Sequence, residues 1–263
     1  MFSTTTIAAM ITGTVLAFLI PIAAVIVFKL KCRDARLPSA LVGVVTFLVF
    51  ALMLEQILHL IMLPIVQGST VLYIIYGALA AGIFEETGRL VAYKVVMKNN
   101  LTTKNAVMMG LGHGGFECMF LLGFSMISLV ASAIMVNNDG LETTISTLSA
   151  GNAEAAATVR TQLEALVTYG FGNMALGIYE RLIAMIFHVC MSVLVYHAVS
   201  QPGQIKLYFL AVILHALLDV PAAMYQVGIL SIPVVYIIMT VMTAAVVYFI
   251  IKLTKKFNNY AGF

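Results

Sequence analysis

Seven runs of apolar residues, each long enough to cross a bilayer as a helix, occupy most of this 263-residue chain. They cover approximately residues 6–28, 39–63, 70–94, 104–136, 172–199, 206–226 and 229–251. A membrane-spanning helix needs about 20 mostly apolar residues. Only 10% of the residues are charged, against about 25% in soluble domains, so no room remains for a sizeable soluble domain. The sequence therefore predicts an all-α, polytopic transmembrane helix bundle, with residues 1–263 forming one domain.

The basic residues predict how this bundle is oriented. Eleven of the fourteen Lys and Arg residues fall on one side of the membrane if there are seven spans. They are Lys29, Lys31, Arg33, Arg36, Lys94, Lys98, Lys104, Lys206, Lys252, Lys255 and Lys256. The opposite loops carry only Arg160. The positive-inside rule then places the N-terminus outside and the C-terminus in the cytoplasm. The long loop at about 137–171 is external, and we expect a bacterial plasma membrane.

Ten ionisable side chains fall inside the predicted spans, where each charge costs about 2.5–3.5 kcal/mol on insertion scales. They are Glu85, Glu86, Arg89, His113, Glu117, Glu180, Arg181, His188, His215 and Asp219. Such residues normally face the interior of a bundle, pair with one another and mark a functional site. Ion pairs that only hold helices together are the alternative interpretation.

Depth in the membrane favours a common site. Counted from the nearest cytoplasmic lysine at 1.5 Å per residue, Glu86 lies about 12 Å deep, and His113 and His215 lie about 14 Å deep. His188 lies about 17 Å from the end of its span. Four groups on four helices thus share one layer in the cytoplasmic half. We expect a polar cavity open to the cytoplasm to bring water there.

Three imidazoles with nearby carboxylates suit a divalent metal ion, and zinc is the metal we favour. His113 and Glu117 share a helix face at a spacing of four residues, as do His215 and Asp219, so each carboxylate could orient its histidine. A further Glu could then activate water. In the metal-free alternative a Glu activates water while histidines hydrogen-bond the developing oxyanion. The spacing does not match HExxH.

These residues resemble the motifs of a known family. Glu85-Glu86-Thr-Gly-Arg89 looks like the EExxR box of the CAAX-protease and bacteriocin-processing superfamily. The segments His113-Gly-Gly-Phe-Glu117, Glu180-Arg181 with His188, and His215-Ala-Leu-Leu-Asp219 resemble its YhfC-like branch of intramembrane metalloproteases. PrsW-type proteases are a more distant resemblance. The similarity runs from about residue 70 to 225, which would be the catalytic core.

The resemblance implies that Glu85 and Glu86 supply the general base and that His113 and His215 bind a metal or the oxyanion. Two departures from the pattern of CAAX proteases limit this resemblance. Two residues, not three, separate the Glu pair from Arg89, and Asp219 stands where CAAX proteases carry Asn. Specificity for prenylated substrates is therefore not implied.

The sequence predicts an intramembrane endopeptidase that acts on a membrane protein or peptide in the bilayer and has no nucleic-acid partner. The candidate catalytic residues are Glu85, Glu86, Arg89, Glu117, Glu180 and Arg181, and the candidate metal ligands are His113, His188, His215 and Asp219. An ion- or proton-coupled transporter and a non-enzymatic scaffold or immunity protein are the alternatives.

One further pair in the second span lies outside this layer. His59 is near the external end of its span, and Glu55 precedes it by four residues. We expect Glu55 to be a partner of His59 and His59 to be non-catalytic.

Overall fold

A computed structural model describes residues 1–260, and all regular structure among them is helical. The α-helices are α1 (Thr4–Lys31), α2 (Leu37–Thr46), α3 (Gln56–Val66), α4 (Thr70–Val91), α5 (Thr103–Cys118), α6 (Ser125–Asp139), α7 (Leu141–Ser149), α8 (Ala153–Leu166), α9 (Phe171–Ser200), α10 (Lys206–Gln226) and α11 (Ile232–Tyr260). The predicted all-α fold is confirmed.

Seven continuous helical stretches among the described residues are long and apolar enough to cross a membrane. They are Thr4–Lys31, Leu37–Val66, Thr70–Val96, Thr103–Asp139, Phe171–Ser200, Lys206–Gln226 and Ile232–Phe257. These stretches match the seven predicted spans to within a few residues. The orientation of the termini stays a prediction.

Three of these stretches contain π-helical segments, at Phe47–Glu55, Ala92–Val96 and Met119–Phe124. A π-helix is rare and is found frequently at functional sites. The first segment links α2 to α3, the second extends α4, and the third links α5 to α6. The fourth span, predicted to be too long for one straight crossing, is therefore interrupted by such a segment.

One compact unit comprises Met1–Ile22 and Cys118–Leu182. Its apolar core gathers Phe2, Met10, Ala133, Val136, Ile145, Leu163 and Leu166. The backbone N–H of Phe2 donates to Oδ1 of Asn137 at 2.7 Å, which ties the start of the chain to the end of α6. Much of the predicted external loop is thus helical, as α7 and α8, and its side chains take part in this core.

The other compact unit comprises Ala23–Glu117 and the described part of Ile183–Phe263. Its core surrounds α9, where Phe187, Met191 and Leu194 are fully buried. Basic residues flank several of its helices at one end, which we call the basic end: α2 begins there after Arg36, and α10 begins there at Lys206. The single-domain organisation of the whole chain stays a prediction.

Glycines set the helix spacing in this second unit. A Cβ added at Gly82 of α4 would lie 2.7 Å from the carbonyl oxygen of Val212 in α10. A Cβ added at Gly114 of α5 would lie 3.0 Å from the Cβ of His188 in α9. Helices that bear site residues therefore approach each other more closely than any larger residue permits.

Candidate active site

Eight of the ten candidate residues converge within the second unit. Helix α4 contributes three of them, α5 and α10 two each, and α9 one. They are Glu85, Glu86, Arg89, His113, Glu117, His188, His215 and Asp219. Glu86, Arg89 and His113 have no solvent-exposed surface. A cluster of charges this deeply buried must be internally paired, because an isolated buried charge is strongly unfavourable.

Arg89 holds the two glutamates of its own helix. Its Nη1 donates to Oε1 of Glu86 at 2.5 Å, and its Nη2 lies 3.4 Å from Oε2 of Glu85. The same Nη2 donates to Nδ1 of His188 at 2.7 Å. The planar fork of a guanidinium suits this task, since it presents several donors in a fixed geometry. The spacings of three and four residues on α4 make both contacts possible.

His113 and His188 stand on either side of Glu85. Nε2 of His113 is 2.8 Å from Oε2 of Glu85, and Nδ1 of His188 is 3.6 Å from the same oxygen. The ring of His113 packs edge-on against Phe47, with centroids 5.3 Å apart. Nε2 of His188 is paired with the carboxylate of Glu117. Nδ1 of His113 is buried and has no hydrogen-bond partner in the part of the chain that the structure describes.

His215 completes a second arrangement around Glu86. Its Nδ1 lies 2.6 Å from Oε1 of Glu86, and its Nε2 lies 3.6 Å from Oδ2 of Asp219. Nε2 of His215 is also 3.9 Å from Oε2 of Glu85. Oε2 of Glu86 is buried and has no hydrogen-bond partner among the described residues. Glu86 therefore has one oxygen held by Arg89 and His215 and a second oxygen that none of those residues engages.

The donor set of Glu85, His113 and His188 fits a divalent metal ion. One ligand atom from each of them lies within 4.8 Å of the others, and all three residues are buried. In tetrahedral zinc sites with Zn–N bonds of 2.0–2.1 Å, ligand atoms are about 3.3–3.4 Å apart. The distances of 2.8 and 3.6 Å from Glu85 to the two histidines bracket this value. Two histidines and one glutamate are also an established ligand set for catalytic zinc.

The comparison with known families agrees with this donor set. The model of the YhfC intramembrane metalloprotease family matches residues 16–242. The chain belongs to this family. A relative from Bacillus subtilis (strain 168), described as "Uncharacterized membrane protein YhfC", is 34% identical over 250 residues, which are 92% of this chain and 94% of the relative. No solved structure matches the chain.

The matched segment contains every one of the ten candidate residues. The predicted YhfC resemblance is thereby confirmed, whereas the wider kinship with CAAX and PrsW-type proteases stays a resemblance. Seven membrane-length helices and a relative described as a membrane protein make this chain an integral, multi-pass membrane protein.

The structure groups the residues differently from the sequence assignment. Glu85, which the sequence assigned to catalysis, is the carboxylate of the three-residue donor set. His215 and Asp219, which the sequence assigned to a metal, lie beside that set and are not members of it among the described residues. Their role as ligands stays a prediction.

Glu180 and Arg181 lie in the first unit, where their side chains form an ion pair with each other through both the Nε and Nη2 atoms of Arg181. Both side chains are largely buried. Their catalytic role stays a prediction.

Glu55 belongs to the charged surroundings of the site, although depth counting along the sequence did not place it there. It ends the first π-helical segment and is only 6% exposed. Its carboxylate interacts electrostatically with Glu85, His215 and Asp219. It also lies 3.4 Å from Nε2 of His59, so the expected pairing is observed. The sequence signal that could have placed Glu55 near the site is that it is an acidic residue inside an apolar run.

Proposed function

We propose that this protein is an intramembrane endopeptidase that hydrolyses peptide bonds of membrane proteins or peptides. We further propose that it uses a metal ion, with zinc favoured, held by Glu85, His113 and His188. The observation that carries the proposal is a buried Glu/His/His donor set beside a glutamate with one unpaired carboxylate oxygen. Membership of a metalloprotease family supports it.

A divalent ion bound in such a set supplies Lewis-acid polarisation of the substrate carbonyl and activation of water. The side chains around it perform the proton transfers. We assign the general base to Glu86, whose free Oε2 can accept a proton from the attacking water and return it to the leaving amide nitrogen. Glu85 then serves as ligand, and the two adjacent glutamates have different tasks.

His215 and Arg89 prepare Glu86 for this role. Both contact Oε1 of Glu86, so they fix the carboxylate plane and direct Oε2 away from themselves. The permanent charge of Arg89 favours the ionised form of both glutamates in a medium of low dielectric constant. Glu117 orients His188, and Asp219 orients His215, as carboxylates commonly do for catalytic or ligating histidines.

The metal-free mechanism uses the same residues with a different division of tasks. Glu86 would still activate water, and His215 and His113 would donate hydrogen bonds to the oxyanion. Metal analysis of the purified protein separates the two mechanisms, since only the first requires about one ion per chain. We place the protein in a bacterial plasma membrane with its N-terminus outside, on the distribution of basic residues.

The test uses purified protein in detergent and a library of membrane-protein fragments, with new termini read by mass spectrometry. Wild-type protein is expected to create new termini, whereas Glu86→Gln and His215→Ala are not. Lys98→Arg, at an exposed position, is the matched control and should cleave like wild type. If wild type and both site variants give the same fragments, or if reconstituted protein carries a solute flux, the transporter interpretation replaces the protease.

A further inference from the structure

A line of polar side chains extends from the catalytic layer toward the helix ends opposite the basic end. We call it the polar seam and define it by Asp219, Glu55, His59 and Tyr76. Asp219 lies one turn beyond His215 on α10, in the direction away from Lys206. Tyr76 lies nine residues before Glu85 on α4, about 14 Å further from the basic end. Glu55 ends the π-helical segment that joins α2 to α3, and His59 lies one turn further on, in α3.

Direct contacts join some members of the seam, and charge interaction joins the others. Asp219 is 3.6 Å from His215, and the carboxylate of Glu55 is near enough to both for their charges to interact, without a direct contact. His59 continues the line, with Nε2 at 3.4 Å from Glu55 and Nδ1 at 2.6 Å from the hydroxyl of Tyr76. Polar groups spaced in this way can be linked by bridging water. Beyond them, near the helix ends, Tyr73 donates a hydrogen bond to Gln226.

Two members of the seam, Asp219 and His59, are more exposed than the catalytic side chains, whereas Glu55 is only 6% exposed. The side chains of Glu86 and His113 are fully buried, and that of His215 is 3% exposed. The side chain of Asp219 is 33% exposed, and that of His59 is 22% exposed. His59 and Gln56 also line a surface recess of about 400 Å³, whose remaining lining residues are the apolar Ile57, Leu60, Leu63 and Pro64. Asp219 and His59 therefore give the cluster two partly accessible polar neighbours on the side away from the basic end.

The opposite direction is filled by packed side chains. Between the catalytic layer and the basic end, Tyr93 lies in the π-helical segment that extends α4 and Met97 follows that segment, and they are 0% and 3% exposed. Met109 of α5 and Leu194 of α9 are fully buried at the same level. The hydroxyl of Tyr93 donates to the backbone oxygen of Ser192 at 2.9 Å, so it is already satisfied. Apart from Tyr93 and the buried hydroxyl of Ser192, the side chains at this level are apolar and offer water no hydrogen-bond partners.

We propose that water reaches the catalytic cluster through the polar seam, from the helix ends opposite the basic end. Glu55 and His59 line this route, and under the predicted orientation it opens outside the cell. This differs from our sequence-based expectation of a cavity open to the cytoplasm. The inference rests on the proposed hydrolase function, because hydrolysis consumes a water molecule that must enter a membrane-embedded site.

The experiment measures which face of the membrane gives access to the seam. Cys32, Cys118 and Cys190 are replaced by Ala, and single cysteines are introduced as Glu55→Cys and His59→Cys. Sealed vesicles of defined orientation are treated on one face at a time with a charged, membrane-impermeant thiosulfonate reagent. Such a reagent modifies only cysteines that water reaches, because the nucleophile that attacks it, displacing sulfinate, is the thiolate, which forms in contact with water.

Three control positions calibrate the labelling. Gly68→Cys marks the end opposite the basic loops, since a side chain added there meets nothing within 4 Å. Lys98→Cys marks the basic end, and Tyr93→Cys tests the packed core. Glu55→Cys and His59→Cys are expected to react from the same face as Gly68→Cys, whereas Tyr93→Cys stays unmodified. Reaction of the two seam positions from the Lys98→Cys face, or from neither face, would overturn the proposal.

Hydroxyl-radical labelling of the wild-type protein gives a second measurement if the cysteine-free chain fails to fold. His59 and Tyr76 are expected to be modified, and Tyr93 is not; the reverse pattern would contradict the proposed route. Neither labelling experiment requires peptide cleavage. The proposed water route and the proposed protease activity can therefore each be rejected without the other. Correct labelling without peptide cleavage would leave the route intact and reject the protease, and cleavage with labelling from the basic end would do the opposite.

Discussion

Nη2 of Arg89 donates a hydrogen bond to Nδ1 of His188, joining α4 to α9 across the buried cluster at 2.7 Å. A guanidinium can only donate, so Nδ1 of His188 is the acceptor in this arrangement and Nε2 carries the hydrogen that faces Glu117. A metal ion held through Nδ1 of His188 would use the same lone pair, so it would replace this hydrogen bond from Arg89. One arginine therefore fixes the tautomer of a histidine on another helix while it holds two glutamates on its own. This single side chain thus links two of the four helices of the site directly, α4 and α9.

Replacing this fork while keeping the charge tests its role. Arg89→Lys is expected to lower the rate of peptide cleavage about 10–100-fold, the usual effect of removing a partner that orients ligands or catalytic groups. A lysine offers one ammonium in place of a planar array of donors, so it cannot contact Glu86 and His188 together. Cleavage kinetics on folded protein provide the measurement, with Lys98→Arg as control. An unchanged rate would show that the fork is dispensable.

Measurements of bound metal should distinguish the role of Glu85 from that of Glu86. Glu85→Gln is expected to lose metal and activity together, because it removes a charged ligand from the donor set. Glu86→Gln should retain the metal and lose about 10²–10⁴-fold in rate, the range expected for a general base. Metal content by elemental analysis and cleavage rates on the same samples make the comparison. Loss of metal in Glu86→Gln, with retention in Glu85→Gln, would reverse the assignment.

Close packing of α4 against α10 should be essential to the site. Gly82→Ala would place a Cβ 2.7 Å from a backbone oxygen of α10, which forces the two helices apart. Because Glu86 and His215 lie on these helices and are 2.6 Å apart, both the thermal stability and the cleavage rate are expected to fall.

The same helix offers a matched control for that variant. A Cβ at Gly77 meets nothing within 4 Å, so Gly77→Ala should leave the melting temperature and the rate near the wild-type values. Thermal unfolding in detergent and the cleavage assay measure both effects. Equal behaviour of the two alanine variants would contradict the proposed importance of the close approach.

The predicted orientation can be tested without any assay of activity. Reporter domains that are active only outside the cytoplasm, fused within residues 140–165, are expected to be active, because the basic residues concentrate in the other loops. Fusions after Lys98 provide the opposite control. Activity at Lys98 and silence at 140–165 would invert the topology and would also invert the face on which the polar seam opens.

Much of the fold followed from patterns in the chain. The span at residues 206–226 was predicted with the bounds of α10, because Lys206 and the turn after Gln226 delimit the apolar run. Depth counting brought Glu86, His113, His188 and His215 into one layer, since a regular rise converts sequence position to height. The structure places these four side chains in one cluster.

Other features depend on geometry that regular counting does not capture. Glu55 is the last of nine π-helical residues, and a π-helix changes both the rise per residue and the direction in which its side chains point. Glu85 and Glu86 have different environments because side chains from α5 and α10 contact them differently. The positions of the two glutamates along α4 alone did not distinguish their roles. The closure toward the basic end arises from packing among Met97, Met109 and Leu194, which no single span reveals.

Two glycines on α4 limit how the Glu85–Glu86 segment can move. A Cβ at Gly82 would meet α10, and a Cβ at Gly88 would lie 2.7 Å from the ring of Phe50. With a close neighbour on each side, α4 has little freedom to rotate about its axis. The position of its backbone therefore sets the direction in which both carboxylates point. Efforts to change what this protein accepts should therefore leave α4 intact and diversify the exposed positions of α3, where new side chains can be introduced without redirecting the reactive groups.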